Sequence, residues 1–118
     1  MSLVQVVVQN GAQHGLARRS VESALPLFPP TWGNAVETIL LCAGHTLGAS
    51  FHAKERTLAL SWPSRPPFPS KVDALDTLIA ALAAIAESGD LPKHFSPPSY
   101  LAKSQVAATT RALVAGVT

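Results

Sequence analysis

One stretch decides the fold of this chain: residues 70–89, SKVDALDTLIAALAAIAESG. Ser70 is a typical helix N-cap, Asp73 places a negative charge in the first turn, and Gly89 is a typical stop signal. Apolar residues recur between these signals at helical spacing and form one stripe: Val72, Leu75, Leu78, Ile79, Leu82 and Ile85. The stretch therefore predicts a helix whose apolar stripe packs against the rest of the protein.

Upstream of this helix, the sequence predicts a small β-sheet. Residues 3–9 place valines at alternate positions, which is the period of a half-buried strand. Residues 36–43 are apolar on both faces apart from two positions, as expected for a central strand covered on two sides. Residues 50–53 and 57–62 indicate a hairpin around a short polar turn. The proline-rich connector 63–69 leaves the sheet, because proline lacks the amide donor that a ladder needs.

Two further helices complete the predicted fold. One spans about residues 16–28 and is ended by a cluster of prolines. The other is alanine-rich and runs from about Pro98 to Ala115, with Ser96 as its cap. The element order is then β-α-β-β-β-α-α, which predicts an α+β domain with a mixed or antiparallel sheet of about four strands packed against three helices. We expect residues 1–118 to form a single compact domain.

The composition indicates a surface with little charge. Only 14% of the residues are charged and 47% are hydrophobic, whereas soluble domains average about a quarter charged. We therefore expect another subunit to cover part of the surface. The formal net charge of +2 produces only a weak field, which argues against nucleic acid as a partner. The single cysteine excludes an internal disulfide framework and any multi-cysteine metal site within one chain.

We expect neither a membrane span nor a signal peptide in this sequence. The longest uninterrupted apolar run has nine residues, 78–86, whereas a membrane span needs about 20, so the run predicts a buried stretch of helix. Residues 1–9 contain no basic residue, and Gln5 and Gln9 fall where a signal peptide would be apolar. These observations predict a cytoplasmic protein of bacterial type that does not enter a membrane.

Side chains with ligand-like chemistry are few. Cys42, His45 and His52 flank a glycine-bounded loop, but their spacing matches no recognised zinc pattern. The two histidines, with Trp32 and Trp62, are the candidate ligand-binding residues, because such rings can wall a pocket for a small apolar ligand. The alternative is that these rings only cover the edge of the sheet. We expect no metal, no cofactor and no catalytic residue.

Two other groupings have a functional and a structural interpretation. Asp73 and Asp76 are three residues apart on the predicted helix and can serve acid–base chemistry, although their place near the helix N-terminus already explains them. A nucleic-acid site would require four scattered basic residues to form one stripe. These residues are Lys54, Arg56, Arg65 and Lys71.

About half of the chain, from Leu25 to Leu82, resembles the core of minimal zincin-type metallopeptidases. The resemblance rests on the segment 29–32, the strands 36–41 and 57–61, and the helix 72–87. In that family the helix carries the motif His-Glu-x-x-His, whereas this chain reads Leu75-Asp-Thr-Leu-Ile-Ala-Ala-Leu82. The resemblance therefore implies a similar architecture that lacks the chemistry and serves as a scaffold for binding, and it carries over no catalytic residue.

The sequence favours an interaction module over an enzyme, because no phosphate-binding loop, zinc-protease motif or serine-hydrolase motif occurs in it. The alanine-rich terminal helix offers an apolar set to a partner. This set comprises Leu101, Val106, Leu113, Val114 and Val117. We expect a non-catalytic protein that forms a homo-oligomer or binds a protein partner. The alternative is a small-ligand-binding protein or minor enzyme with a pocket near Trp32, His45 and His52.

Overall fold

Four strands and four helices are present in the computed structural model, which describes residues 4–11 and 13–116. The strands are β1 (Gln5–Val8), β2 (Thr38–Gly44), β3 (Gly48–His52) and β4 (Thr57–Pro63). The helices are α1 (Arg18–Ala24), α2 (Lys71–Ser88), α3 (Pro97–Lys103) and α4 (Gln105–Ala115), and the 3₁₀ turns Leu25–Leu27 and Pro30–Asn34 lie between α1 and β2. The predicted α+β class and element order are confirmed, except that the last predicted helix is two helices.

The strands form one mixed sheet in the order β1-β2-β4-β3. β1, β2 and β4 are parallel, and β3 pairs antiparallel with β4 at the edge, as the predicted hairpin requires. β2 lies inside the sheet between β1 and β4, which confirms its predicted central place. The carboxyl ends of the three parallel strands consequently meet at one end of the sheet.

Only one face of the sheet belongs to the hydrophobic core. On this inner face, Val6, Ile39, Leu41, Leu58 and Leu60 are buried within the core cluster that also contains α2. The expectation that β2 is covered on two sides is wrong, because its alternate positions 40 and 42 are only half-buried and lie outside that cluster. β2 is therefore apolar on both faces although only its inner face packs in the core.

α2 begins and ends at the predicted signals. The backbone N–H of Asp73 donates to the Ser70 hydroxyl at 3.0 Å and Ser70 N–H donates to an Asp73 carboxylate oxygen at 3.2 Å, while Gly89 adopts φ +82° at the C-cap. Five of the six residues of the predicted stripe are buried, and only Val72, at 59%, is exposed. The other faces of α2 are buried as well, so the helix is enclosed nearly all round between residues 74 and 85. α2 packs on β3 and β4 and also on α3 and α4, so it forms a central layer.

Ser104 divides the predicted terminal helix into α3 and α4. Its backbone is extended, at φ −95° and ψ 112°, and its hydroxyl accepts a hydrogen bond from Ala107 N–H at 3.2 Å. The same hydroxyl donates to the Glu87 carboxylate at 3.1 Å, and the Tyr100 hydroxyl donates to the other oxygen of that carboxylate. Burial raises the pKa of Tyr100 to about 12, and the hydrogen bond to Glu87 and the negative charge of that carboxylate both contribute to the shift. Glu87 thus ties the end of α2 to the α3–α4 junction.

Replacing Ser104 by alanine is expected to lower the free energy of unfolding by about 1–2 kcal/mol, because the change removes the α4 cap and one partner of Glu87. Urea denaturation followed by far-UV circular dichroism measures this loss. The matched control is Ser99→Ala, since Ser99 is exposed in the first turn of α3. Equal stabilities of the two variants would contradict the role given to Ser104.

Candidate functional site

The four predicted ligand-binding residues do not converge on one pocket. Trp32 is buried beside Phe28, with 5.5 Å between the ring centroids. His45 is exposed just beyond the carboxyl end of β2, whereas His52 pairs with Thr57 at the amino end of β4. The two histidines are therefore separated by the length of β4, and this length is about 20 Å at 3.3 Å per residue. Trp62, near the carboxyl end of β4, lies on the side of His45.

Cys42 is placed where its thiol is unreactive. The side chain lies on the outer face of β2 and donates a weak hydrogen bond to the Leu60 carbonyl, with 3.7 Å between sulfur and oxygen. Burial raises the pKa of the thiol, which disfavours the nucleophilic thiolate. Within residues 4–11 and 13–116, no three His, Cys, Asp or Glu side chains are grouped so that they could hold a metal ion.

The two aspartates of α2 both have structural partners. Asp73 belongs to the capping box, and Asp76 accepts a hydrogen bond from Arg111 Nε at 2.8 Å, which joins α2 to α4. The four basic residues do not form one stripe either, because Arg56 precedes β4 and Arg65 follows it. Arg56 is also paired with Glu37 at 2.7 Å. Asp73, Asp76 and Arg56 therefore have structural roles.

His14, which the sequence did not single out, is held in one neutral tautomer. Leu16 N–H donates to Nδ1 at 3.0 Å, so the proton lies on Nε2, which donates to the Leu60 carbonyl at 3.1 Å. The imidazole also packs on Trp62, with 5.4 Å between ring centroids. Burial lowers the pKa of His14 below its ordinary 6.5. The ring is thus an uncharged link between the β1–α1 loop and β4.

Acidification is expected to destabilise the protein through His14. The unfolded chain takes up a proton at this residue near pH 6.5, before the folded protein does, so the free energy of unfolding falls as the pH drops below that value. An NMR titration of the imidazole should give a midpoint below 6.5. His14→Gln should show a shallower loss of stability between about pH 7.5 and 5.5. A midpoint at or above the ordinary value would contradict the neutral tautomer.

The outer face of the sheet forms an open surface in three rows. The central row runs across the strands from Val7 on β1 through Leu40 and Ala59 to Ser50 on β3. Val7 is 40% exposed, Ser50 is exposed and Leu40 is half-buried, whereas Ala59 is only 8% exposed; the core cluster contains none of the four. The flanking rows consist of Gln5, Thr38, Thr57 and His52 on one side and Cys42, Ser61 and Gly48 on the other. We call these eleven residues the outer sheet face.

The outer sheet face contains no aspartate, glutamate, lysine or arginine. Charged residues begin at its border, where Glu37 and Arg56 form their ion pair near the amino ends of β2 and β4. Lys54 and Glu55 lie exposed in the adjacent β3–β4 turn. The centre of a protein–protein contact is generally depleted of charged residues, and the outer sheet face shares this feature.

The terminal apolar set is only partly available to a partner. Val114 is buried against the core and Leu101 is half-buried, while Val106 and Leu113 are exposed on α4. Val117 lies outside the described residues. The exposed pair borders a groove with the proline-rich 3₁₀ segment, so α4 presents a second apolar surface.

Comparison with family models, curated proteins and solved structures gives no match for this chain. The resemblance to zincin cores therefore stays a prediction. In the described part of the chain, none of the helices is long and apolar enough to cross a membrane.

Proposed function

We propose that this protein is a non-catalytic interaction module that pairs with a second copy of itself through the outer sheet face. The observation that carries the proposal is the uncharged row of Val7, Leu40, Ala59 and Ser50, which lies outside the core cluster and exposes Val7 and Ser50. The single free thiol of Cys42 suits a reducing compartment, so we place the module in the cytoplasm.

The absence of charge favours a second copy as the partner. In a two-fold symmetric contact, each surface meets the same surface of the other protomer, so charges near the centre would lie close to like charges. The outer sheet face avoids this repulsion because its eleven positions carry no Asp, Glu, Lys or Arg. Two such faces can pack about 10 Å apart, as sheets do in sandwiches.

The size of the outer sheet face sets the strength of the pairing. Four strands about 4.8 Å apart, each with about five residues at 3.3 Å, give a surface of roughly 15 by 17 Å. This area is about a third of the roughly 800 Å² per partner that a standard interface buries. We therefore expect a weak dimer, with a dissociation constant between about 10 µM and 1 mM, so that the dimer forms as the protein concentration rises through this range.

Sedimentation equilibrium over that concentration range tests the proposal. The wild-type protein should shift from monomer to dimer, whereas Leu40→Lys and Ser50→Lys should stay monomeric because each places a charge in the centre of the contact. Ser50 is exposed on the edge strand, so its substitution leaves the core intact. The matched control, Leu113→Lys, places the same charge on α4 and should leave the dimer unchanged.

Two results would refute the proposal. One is a wild-type protein that stays monomeric at about 1 mM. The other is a dimer lost in Leu113→Lys and retained in Ser50→Lys, which would assign self-association to the terminal helix. Thermal unfolding of each variant establishes that it is folded before its association is compared.

A further inference from the structure

A cleft of about 500 Å³ opens at the carboxyl ends of the three parallel strands. Gln13, His14 and Gly15 line it from the loop after β1, Trp62 and Ser64 line it from the end of β4, and Phe68 lines it from the connector. The region outside the carboxyl ends of parallel strands is where open α/β sheets bind their ligands. The cleft is separate from the outer sheet face proposed for pairing.

Three aromatic rings form the wall of this cleft. Trp62 lies between the other two, at 5.4 Å from His14 and 6.4 Å from Phe68, and the indole and phenyl planes differ by only 13°. Trp62 is 8% exposed, whereas Phe68 is 55% exposed. The wall therefore ends in a phenyl ring that presents apolar area to solvent beside a fixed indole.

The cleft has no charged lining. Its polar side chains are neutral: Gln13, Ser64 and the imidazole of His14, whose two nitrogens are both engaged by the backbone. Arg65 follows Ser64 in the sequence but is exposed and does not line the cleft. A charged ligand would consequently lose hydration without gaining a counter-charge.

We infer that this cleft binds a small neutral molecule with a planar aromatic ring. The ring stacks against Phe68 and the edge of Trp62, which removes the exposed phenyl surface from water and gains the preferred geometry of aromatic pairs. Ser64 and Gln13 at the mouth supply hydrogen bonds to a polar group on such a ring. A volume of about 500 Å³ accommodates a bicyclic ring.

Indole is the probe, and the two tryptophans of the protein report its binding. In an NMR titration with indole, the side-chain N–H signal of Trp62 should shift and saturate with a dissociation constant of about 1 mM, because a ligand with so few atoms binds weakly. The signal of Trp32 should not move, since Trp32 is buried away from the cleft. Indole-3-acetate, which adds a negative charge, should bind at least about five-fold more weakly.

Two variants test the assignment of the wall. Phe68→Ala should weaken indole binding about five- to ten-fold, because it removes the stacking surface. Val72→Ala removes an equally exposed apolar side chain outside the cleft and should leave binding unchanged. The inference would be overturned if the Trp62 signal did not saturate by about 10 mM indole, or if both tryptophan signals shifted equally. It would also be overturned if Phe68→Ala bound indole as tightly as the wild-type protein does. Because cleft and outer sheet face are separate, either proposal can fail without the other.

Discussion

Replacing Gly15 by alanine is expected to lower the free energy of unfolding by about 2–3 kcal/mol. A Cβ atom at this position would lie 2.1 Å from Cη2 and 2.4 Å from Cζ3 of Trp62, far inside van der Waals contact. The indole is only 8% exposed and packs between His14 and Phe68, so moving it away would disrupt these two ring contacts. Urea denaturation measures the loss, which we expect to be among the largest for any single methyl group added to this chain.

A double-mutant cycle separates this clash from a general effect of losing a glycine. In a Trp62→Phe background, Gly15→Ala should lower the free energy of unfolding by less than about 1 kcal/mol, because the smaller ring leaves room for the methyl group. The matched control is Gly116→Ala, where the nearest atom to a new Cβ is 3.5 Å away and the backbone is helical. Equal losses in both backgrounds would show that the approach of Gly15 to Trp62 is not the cause.

Replacing Leu78 by alanine is expected to lower the free energy of unfolding by about 2–5 kcal/mol. Leu78 is fully buried in the central layer formed by α2, so the change removes apolar area and leaves a cavity. The matched control is Val72→Ala, which lies on the same predicted stripe but is 59% exposed, and should change stability by less than about 0.5 kcal/mol. Thermal and urea denaturation of the two variants measure the difference. Similar losses would contradict the placement of α2 between the sheet and the terminal helices.

Much of the fold is predictable from local signals. Ser70, Asp73 and Gly89 fix the ends of α2, and the alternation in residues 57–62 fixes which side of β4 faces the core. The apolar run 78–86 predicts a buried stretch of α2, but its alanines present too little area to show that every face of the helix is covered. Ser104 is a typical N-cap, but without a glycine or proline beside it the helical pattern continues through it.

The candidate surfaces are harder to predict, because they depend on which elements pack and which do not. An apolar strand such as β2 has the same sequence whether its second face meets a helix, a partner or solvent. His45 and His52 are close in sequence, but β3 carries the chain from one end of the sheet to the other. His14 and Trp62 meet although 48 positions separate them, since the β1–α1 loop and β4 end at the same edge of the sheet.

Dilution of a methyl-labelled sample followed by NMR tests the central claim most directly, because it locates the contact residue by residue. Between about 1 mM and 10 µM, the methyl signals of Val7, Leu40 and Ala59 should move together along one binding curve. Those of Val106 and Leu113, exposed on α4, should stay in place. Signals of the outer sheet face that do not change with concentration, or changes confined to α4, would contradict the proposal that two copies pair through the sheet.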